Sequence, residues 1–175
     1  MSKNIVVLSG SPRKDANTDT LVAAFVEGAK SSGKNVTVFR TADMKISGCL
    51  GCGSCFKETG TCAQKDDMIQ ILDALKSADA LVLASPVYFW GVTAQLKLAI
   101  DRTFALLRIE TPIKRAAMLL TCGSRAGAAE SMFRTMCEYS HWENAGYIVE
   151  SGLRSPDAIK GRDVLKKANA LGMEI

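Results

Sequence analysis

The stretch NIVVLSGSPRKDANT at residues 4–18 decides the fold of this chain of 175 residues. Residues 4–9 are mostly apolar and β-branched, which is typical of a strand buried in a parallel sheet. A loop of Gly, Ser, Pro and charged residues follows and leads into a helical pattern over residues 17–30, with Asn17 or Thr18 as the expected N-cap. A buried strand, a polar loop and a helix in this order begin a βαβ unit.

The same alternation of strand and helix patterns continues along the rest of the chain. Further strands are predicted at 35–40, 78–84, 115–121 and 146–151, and further helices at 66–76, 92–107, 127–139 and from Ser155-Pro156-Asp157 to 171. This order predicts one α/β domain over residues 1–175, with a doubly wound five-stranded parallel sheet and helices on both faces. Ligands bind such sheets beyond the carboxyl ends of the strands, so the candidate loops are 9–18, 85–91 and 121–127.

Composition and charge exclude several function classes. Apolar residues make up 47% and the net charge is +4, with no basic run interleaved with aromatics, so no nucleic-acid partner is expected. The longest apolar runs are strand-length, so no membrane partner is expected either. The N-terminus shows no signal-peptide pattern, and we expect a cytoplasmic protein. In that reducing compartment, clustered cysteines bind metals or take part in redox chemistry.

The loop at 9–18 is predicted to bind a phosphate. A helix N-terminus has unpaired backbone N–H groups and a partial positive charge. The side chains that add donors or charge to this loop are Ser9, Ser11, Arg13, Asn17 and Thr18. The loop lacks a dinucleotide Gly-x-Gly-x-x-Gly pattern and the Gly-Lys-Ser/Thr ending of a P-loop, so a monophosphate such as that of FMN fits better. The alternative is a polar turn that only caps the helix.

The second informative segment is a cysteine-rich loop insertion at 46–65. Its cysteines lie within fourteen residues, at Cys49, Cys52, Cys55 and Cys62. Gly51, Gly53 and Gly60 lie between them and permit tight turns. The Cys-x2-Cys-x2-Cys spacing resembles ferredoxin ligation of iron–sulfur clusters. Zinc bound by the four thiolates, a redox-active dithiol and a disulfide are the alternatives.

Other conspicuous residues are predicted to have structural roles. His141, the one histidine of the sequence, falls near the end of the fourth helix and is expected to cap it or lie on the surface. Cys122 and Cys137 are expected to be buried packing residues. Lys97 and Asp101 are spaced as a helical i, i+4 pair, so a structural or subunit-contact role is expected.

Several short motifs resemble, in their order, those of the NADPH-dependent FMN reductase and iron–sulfur flavoprotein family. They are GSPRK at 10–14 followed by Asn17-Thr18, DDM at 66–68, ASPVYF at 84–89, QLK at 95–97 and IDR at 100–102. Ala16 departs from the pattern, since Gly is frequent there. The resemblance spans most of the chain and implies a flavodoxin-like fold with strand order 2-1-3-4-5. It also implies bound FMN and a homodimer or homotetramer.

A flavin-ring site is predicted after the third and fourth strands. The Ser85-Pro86 step fixes a turn that would direct the backbone N–H groups of 87–91 at the flavin's pyrimidine edge. Tyr88, Phe89 and Trp90 would wall the ring, although core or subunit contacts are an alternative for Phe89 and Trp90. Together with the phosphate loop, the residues expected at FMN are Ser9, Ser11, Arg13, Asn17, Thr18, Pro86, Val87, Tyr88, Trp90, Gly91, Thr121 and Gly123.

The resemblance implies an FMN-dependent NAD(P)H oxidoreductase with a [4Fe–4S] cluster on Cys49, Cys52, Cys55 and Cys62. The electron donor would be a reduced nicotinamide or a protein. The acceptor would be a quinone, flavin, nitro or azo compound, or a protein. No acid–base or nucleophilic residue set can be assembled, as expected where a cofactor carries the chemistry. Two other functions remain open: a non-enzymatic electron-transfer module, and a thiol or metal redox sensor.

Overall fold

The structure is a computed structural model that describes residues 2–57 and 60–175. Residues 1, 58 and 59, which belong to the predicted domain and cysteine loop, lie outside the described residues. Strands and helices alternate as β1 Asn4–Ser9, α1 Asn17–Ser31, β2 Asn35–Arg40, α2 Met68–Leu75, β3 Ala80–Pro86, α3 Ala94–Arg102, β4 Arg115–Thr121, α4 Gly127–Ser140, β5 Glu143–Glu150 and α5 Val164–Glu174. Short 3-10 helices lie at Thr41–Asp43, Ser54–Lys57 and Thr103–Arg108.

In the described part of the chain the strands form a five-stranded parallel sheet in the order β2-β1-β3-β4-β5, which confirms the predicted flavodoxin-like fold. At the carboxyl ends, Ser9 of β1 pairs in register with Arg40 of β2 and Ala84 of β3. Pro86 of β3 pairs with Thr121 of β4. The loops that follow β1, β3 and β4 therefore leave the sheet side by side, where ligands bind in this class of fold.

Apolar side chains alternate between the two faces of the central strands. Ile5 and Val7 of β1 pack on one face with α1 and α5, whereas Val6 and Leu8 pack on the other face with α2, α3 and α4. Helices cover both faces, as predicted. Within the described residues, no helix has both the length and the hydropathy that a bilayer span requires.

The last helix begins eight residues later than the Ser155-Pro156-Asp157 pattern predicts. Residues 155–161 instead form turns, in which the Ala158 N–H donates to the Ser155 carbonyl at 3.2 Å. Gly161 has a φ of +75°, and this left-handed conformation cannot continue a right-handed helix. The Ser155-Pro156-Asp157 pattern therefore begins a series of turns instead of a helix, and α5 begins only at Val164.

Other predicted bounds differ by smaller amounts. α3 was expected to reach residue 107, but it changes to the 3-10 helix Thr103–Arg108, where the Thr103 hydroxyl donates to the Ile100 carbonyl at 2.7 Å. Such hydroxyl-to-backbone bonds compete with regular helix geometry. β3 begins two residues later than predicted, and β5 begins three residues earlier.

Candidate functional site

A cavity of about 100 Å³ opens where the loops after β1, β3 and β4 meet. Its lining contains most of the residues expected at FMN: Ser11, Arg13, Asn17, Thr18, Pro86, Val87, Tyr88, Thr121 and Gly123. Ser9, Trp90 and Gly91 do not belong to that lining. Ser9 is buried and borders a separate groove beside α1 and β2. The fold thus gathers nine of the twelve expected residues around one space.

The N-terminus of α1 presents unpaired donors to this cavity. Ala16 is the N-cap and provides no side-chain bond, so neither Asn17 nor Thr18 has the predicted capping role. In the described chain, the backbone N–H groups of Asn17, Thr18 and Asp19 have no acceptor. Arg13 is the one charged side chain of the cavity lining. Free N–H groups, the positive end of a helix and an arginine together favour an anion.

Thr18 and Thr121 join two of the loops beneath the cavity. Their hydroxyl oxygens lie 2.7 Å apart, and both side chains are buried. The bond connects the first turn of α1 to the end of β4. It fixes the distance between the expected phosphate site and the loop that follows β4.

Asn17 and Ser11 also use their side chains within the protein. The Asn17 amide donates to the Ser155 carbonyl at 2.7 Å and accepts from the Ile159 N–H at 3.0 Å. The Ser11 hydroxyl donates to the Arg13 carbonyl at 2.9 Å. In this conformation both side chains hold the shape of the loop, and the backbone and Arg13 are the groups left to contact an anion.

Gly10 lets the phosphate loop pack directly on the start of α3. A Cβ at this position would lie 2.5 Å from both the Leu96 Cβ and the Thr93 Oγ1, which is closer than real contacts allow. Thr93 bridges the two elements, because its hydroxyl donates to the Gly10 carbonyl at 2.7 Å and accepts from the Leu96 N–H as the α3 N-cap. Only glycine fits at position 10.

Residues 88–91 form a tight hairpin at the rim of the cavity. Tyr88 and Gly91 exchange two backbone hydrogen bonds of 3.0 and 3.1 Å. Between them, Phe89 and Trp90 have φ values of +49° and +65°, a left-handed conformation that costs free energy for large side chains. Phe89 is 93% exposed and Trp90 58% exposed. Strained, exposed aromatic residues at a ligand edge are typical of functional contacts.

The backbone of this hairpin is less open than the sequence predicts. The N–H of Val87 donates to the Thr121 carbonyl at 2.8 Å, and those of Tyr88 and Gly91 bind each other's carbonyls. Within the described residues, the N–H groups of Phe89 and Trp90 have no acceptor. The expectation that every N–H of 87–91 faces a ligand is therefore wrong, because the N–H of Val87 bonds to β4 and those of Tyr88 and Gly91 bond within the turn.

Two residues of the lining, Leu153 and Pro156, lie outside the three candidate loops and are absent from the sequence-based set. They follow β5 and return to the cavity, where the Leu153 N–H donates to the Cys122 carbonyl at 3.1 Å. Applying the strand-end rule to the fifth strand would have identified them. The Ser-Pro-Asp pattern drew attention to a helix start instead.

A second cavity, of about 360 Å³, is lined by all four clustered cysteines. Cys49 and Cys52 are exposed, and Cys55 and Cys62 are half-buried. The glycines between them, which the sequence analysis expects at tight turns, have positive φ: Gly51, Gly53 and Gly60. No three His, Cys, Asp or Glu side chains of residues 2–57 and 60–175 converge closely enough to hold a metal ion. The thiols surround a space rather than a single point.

A buried ion pair closes the base of the cysteine loop. The Arg102 side chain is fully buried, and its Nη1 donates to the Asp66 carboxylate at 2.5 Å and to the Ser47 carbonyl at 3.1 Å. Its Nη2 donates to the Gln64 carbonyl at 3.4 Å. Burial opposes the charged form of Asp66, but the hydrogen bonds from Arg102, Ser47 and Met68 outweigh it and lower its pKa. Arg102 thus fastens both ends of the loop.

The thiols of the loop and of the core differ in character. Hydrogen bonds with Ser54 hold the pKa of the Cys52 thiol below its ordinary value. Burial raises the pKa of Cys137 to about 11 and also raises that of Cys122. The two core thiols therefore stay protonated at neutral pH. Both are buried as predicted, and Cys122 also borders the cavity at the strand ends.

A larger cavity, of about 1060 Å³, lies between the 3-10 helix Thr103–Arg108 and the end of α4. Its lining includes His141, Trp142 and Tyr139 but none of the clustered cysteines or expected FMN residues. His141 is the C-cap of α4 with a φ of +56°, which confirms its predicted capping role. The candidate functional sites are the cavities of about 100 and 360 Å³, because the first collects hydrogen-bond donors and the second collects the thiols.

The fold resembles those of solved flavodoxin-like enzymes. An NAD(P)H:quinone oxidoreductase from Methanothermobacter marburgensis superposes with a TM-score of 0.78 over 99% of this chain and 97% of that one, at 20% identity. An azoreductase from Bacillus anthracis superposes with a TM-score of 0.75 over the full length of both chains, at 15% identity. At such identities the likeness establishes the fold alone, and it places the chain in the flavodoxin-like class.

Sequence comparisons are more specific. A profile of the NADPH-dependent FMN reductase family matches residues 3–151. An iron–sulfur flavoprotein of Archaeoglobus fulgidus is 41% identical over 173 residues, which cover 97% of this chain and 77% of that protein. One from Methanocaldococcus jannaschii is 41% identical over 99 residues, 57% of this chain and about half (51%) of that protein's length. The chain therefore belongs to the NADPH-dependent FMN reductase family, a family of oxidoreductases.

Proposed function

We propose that the chain binds FMN in the cavity at the carboxyl ends of β1, β3 and β4, and uses it to transfer electrons from NAD(P)H to a small-molecule or protein acceptor in the cytoplasm. The observation that carries this proposal is the uncapped N-terminus of α1, where Asn17 and Thr18, with free backbone N–H groups, line the cavity together with Arg13. Membership of the FMN reductase family supports the same cofactor. Quinones, flavins, and nitro or azo compounds are the proposed small-molecule acceptors.

The volume of the cavity indicates which part of FMN it would hold. Its volume of about 100 Å³ is well below the roughly 300–1,000 Å³ of typical ligand pockets. It therefore suits the phosphate end of FMN, and the ring would lie at the opening against Tyr88. Gly123 leaves open space at the opposite wall, since a Cβ there would meet nothing within 4 Å. FMN, when bound, supplies the hydride and electron chemistry, and these residues bind and orient it.

The exposed rim favours an assembly of identical chains. Phe89 and Trp90 expose apolar rings beside the opening, and aromatic residues are enriched in protein interfaces. We propose a homodimer or homotetramer in which this rim is covered by a neighbouring subunit. Covering the rim would exclude water from the ring site and relieve the exposure of both side chains.

We also propose that the cysteine cavity holds a [4Fe–4S] cluster, which its lining of four thiols supports. Cys49, Cys52, Cys55 and Cys62 supply the four thiolate ligands, and the space of about 360 Å³ between them exceeds what one metal ion needs. Arg102 also lines this cavity, and its buried Nε has no acceptor among the described residues. A buried donor without an acceptor suits a sulfur-rich, negatively charged group. When bound, such a cluster supplies one-electron transfer.

Two experiments test these assignments. The first titrates the flavin-free protein with FMN and with riboflavin, and then adds NADH or NADPH without oxygen. We expect one FMN per chain, tighter binding of FMN than of riboflavin, and loss of the visible flavin absorbance on reduction. Absence of FMN binding would contradict the proposal. FMN binding without reduction by either nicotinamide would favour the electron-transfer module, which the two exposed cysteines also favour.

The second experiment replaces each clustered cysteine with serine and measures iron after anaerobic reconstitution. We expect each substitution to lower the iron content, because each thiolate is a ligand. Cys137→Ala is the matched control, since Cys137 is buried on α4 and lies outside the cavity. Equal iron in the Cys49→Ser variant and the control would contradict the ligand set. Thiol-dependent changes in assembly without iron would favour the redox sensor.

A further inference from the structure

Arg102 has one donor that its structural role leaves unused. Its two terminal nitrogens bind Asp66, Ser47 and Gln64 at the base of the cysteine loop. Its Nε is buried and has no acceptor within residues 2–57 and 60–175. An unsatisfied buried donor of a charged group costs free energy that only a missing acceptor recovers.

The position of the guanidinium indicates which acceptor is missing. Arg102 lines the cysteine cavity, between the thiols and α3. Its Nη2 binds the Gln64 carbonyl at 3.4 Å, and Cys62, two residues before Gln64, lines the same cavity. Cys62 is therefore the half-buried cysteine nearest in sequence to the contacts of the guanidinium. A neutral thiol is a weak acceptor, whereas a thiolate is a strong one.

We propose that Arg102 is a positioning residue for the metal centre: its Nε–H donates a hydrogen bond to the Cys62 thiolate and raises the reduction potential of the cluster. This inference rests on the proposed [4Fe–4S] cluster. Reduction adds negative charge to the cluster and its thiolates. A cation that donates a hydrogen bond to a ligand sulfur stabilises the reduced form more than the oxidised form.

The same residue connects the two cavities. α3 runs from Thr93, which binds the phosphate loop at Gly10, to Arg102 at the cysteine cavity. Nine residues at about 1.5 Å each separate these ends by about 13 Å. Arg102 therefore ties the cysteine loop to the helix whose other end supports the FMN cavity, and it fixes Cys62 relative to that helix.

The test compares the cluster's midpoint potential, measured by redox titration with electron paramagnetic resonance, in three variants and the unchanged protein. Arg102→Lys keeps a positive charge but has no counterpart of Nε–H. Asp66→Asn weakens the closure of the loop and leaves Nε–H in place. Lys97→Gln removes an exposed charge five residues earlier on α3, where Lys97 pairs with Asp101 on the surface.

We expect Arg102→Lys to lower the midpoint potential clearly more than Asp66→Asn does, and Lys97→Gln to leave it unchanged. Loss of iron in Arg102→Lys, with iron retained in Asp66→Asn, would also support a contact at the cluster. Equal shifts, or equal loss of iron, in the Arg102 and Asp66 variants would overturn the inference and leave Arg102 a loop-closing residue. Absence of iron from the unchanged protein would overturn the proposed cluster as well, so the two failures are distinguishable.

Discussion

The hydroxyl groups of Thr18 and Thr121 form a hydrogen bond of 2.7 Å beneath the cavity, and this bond sets the spacing between the start of α1 and the end of β4. Replacing either residue with valine keeps the shape but leaves a buried hydroxyl without a partner. We expect each single variant to lose about 1–3 kcal/mol in the free energy of unfolding.

The double variant Thr18→Val/Thr121→Val should lose less than the sum of the single variants, because no hydroxyl is left unpaired. Urea unfolding of all variants provides the measurement. Thr135→Val is the matched control, since Thr135 is exposed on α4 and its hydroxyl binds the Ser131 carbonyl of its own helix. Strictly additive losses would show that the two hydroxyls do not interact.

Arg13 is predicted to recognise the phosphate of FMN by charge. A hydrogen bond to a charged group contributes about 1.5–3 kcal/mol, which corresponds to about 10- to 100-fold in affinity. We expect Arg13→Gln to weaken FMN binding by this factor and to leave riboflavin binding nearly unchanged. The control is Lys14→Gln, since Lys14 is outside the cavity and pairs with Asp43. Equal losses for FMN and riboflavin would contradict a phosphate contact.

Gly123 is predicted to leave room for the ligand. A Cβ at this position meets no protein atom within 4 Å, so Gly123→Val should fold with nearly unchanged thermal stability. Because the valine would fill the cavity wall, we expect weaker FMN binding. Gly127→Val is the matched control, because Gly127 has the same free space at the start of α4 and does not line the cavity. If both variants bind FMN equally well, the ligand lies elsewhere.

The ion pair between Asp66 and Arg102 predicts a pH dependence of stability. The pKa of Asp66 is lower in the folded protein than its ordinary value. The stabilisation is therefore complete above the ordinary pKa of an aspartate and is lost as the pH falls through the lowered one. When the pH is lowered from about 6 to about 3, a range that includes the ordinary pKa of aspartate, the unchanged protein should lose more unfolding free energy than Asp66→Asn does. Parallel losses would contradict this role.

The sequence predicts the sheet well and the loops only in part. Strands such as β1 and β4 are continuous apolar runs, and their bounds were predicted to the residue. The Ser155 pattern misled because Gly161, six residues further on, adopts positive φ and ends the turns before a helix forms. A local capping signal says nothing about a break that lies beyond it.

The candidate site shows the same limit. Arg13 and Gly123 were identified because their residue types suit the chemistry, whereas the pairing of Thr18 with Thr121 spans 103 positions and has no local signature. Arg102 was identified only as part of the family motif at 100–102, without a role of its own. Its unpaired Nε becomes visible only when the loop folds back on α3.

The most direct test of the account is an absorption spectrum of protein purified without oxygen, with FMN, iron and sulfide assayed on the same sample. The account predicts one FMN per chain in the first cavity and about four irons and four sulfides per chain at the cysteines. FMN without iron would contradict the cluster and leave an FMN reductase with free thiols. A spectrum without flavin, even after FMN is added, would contradict the central claim.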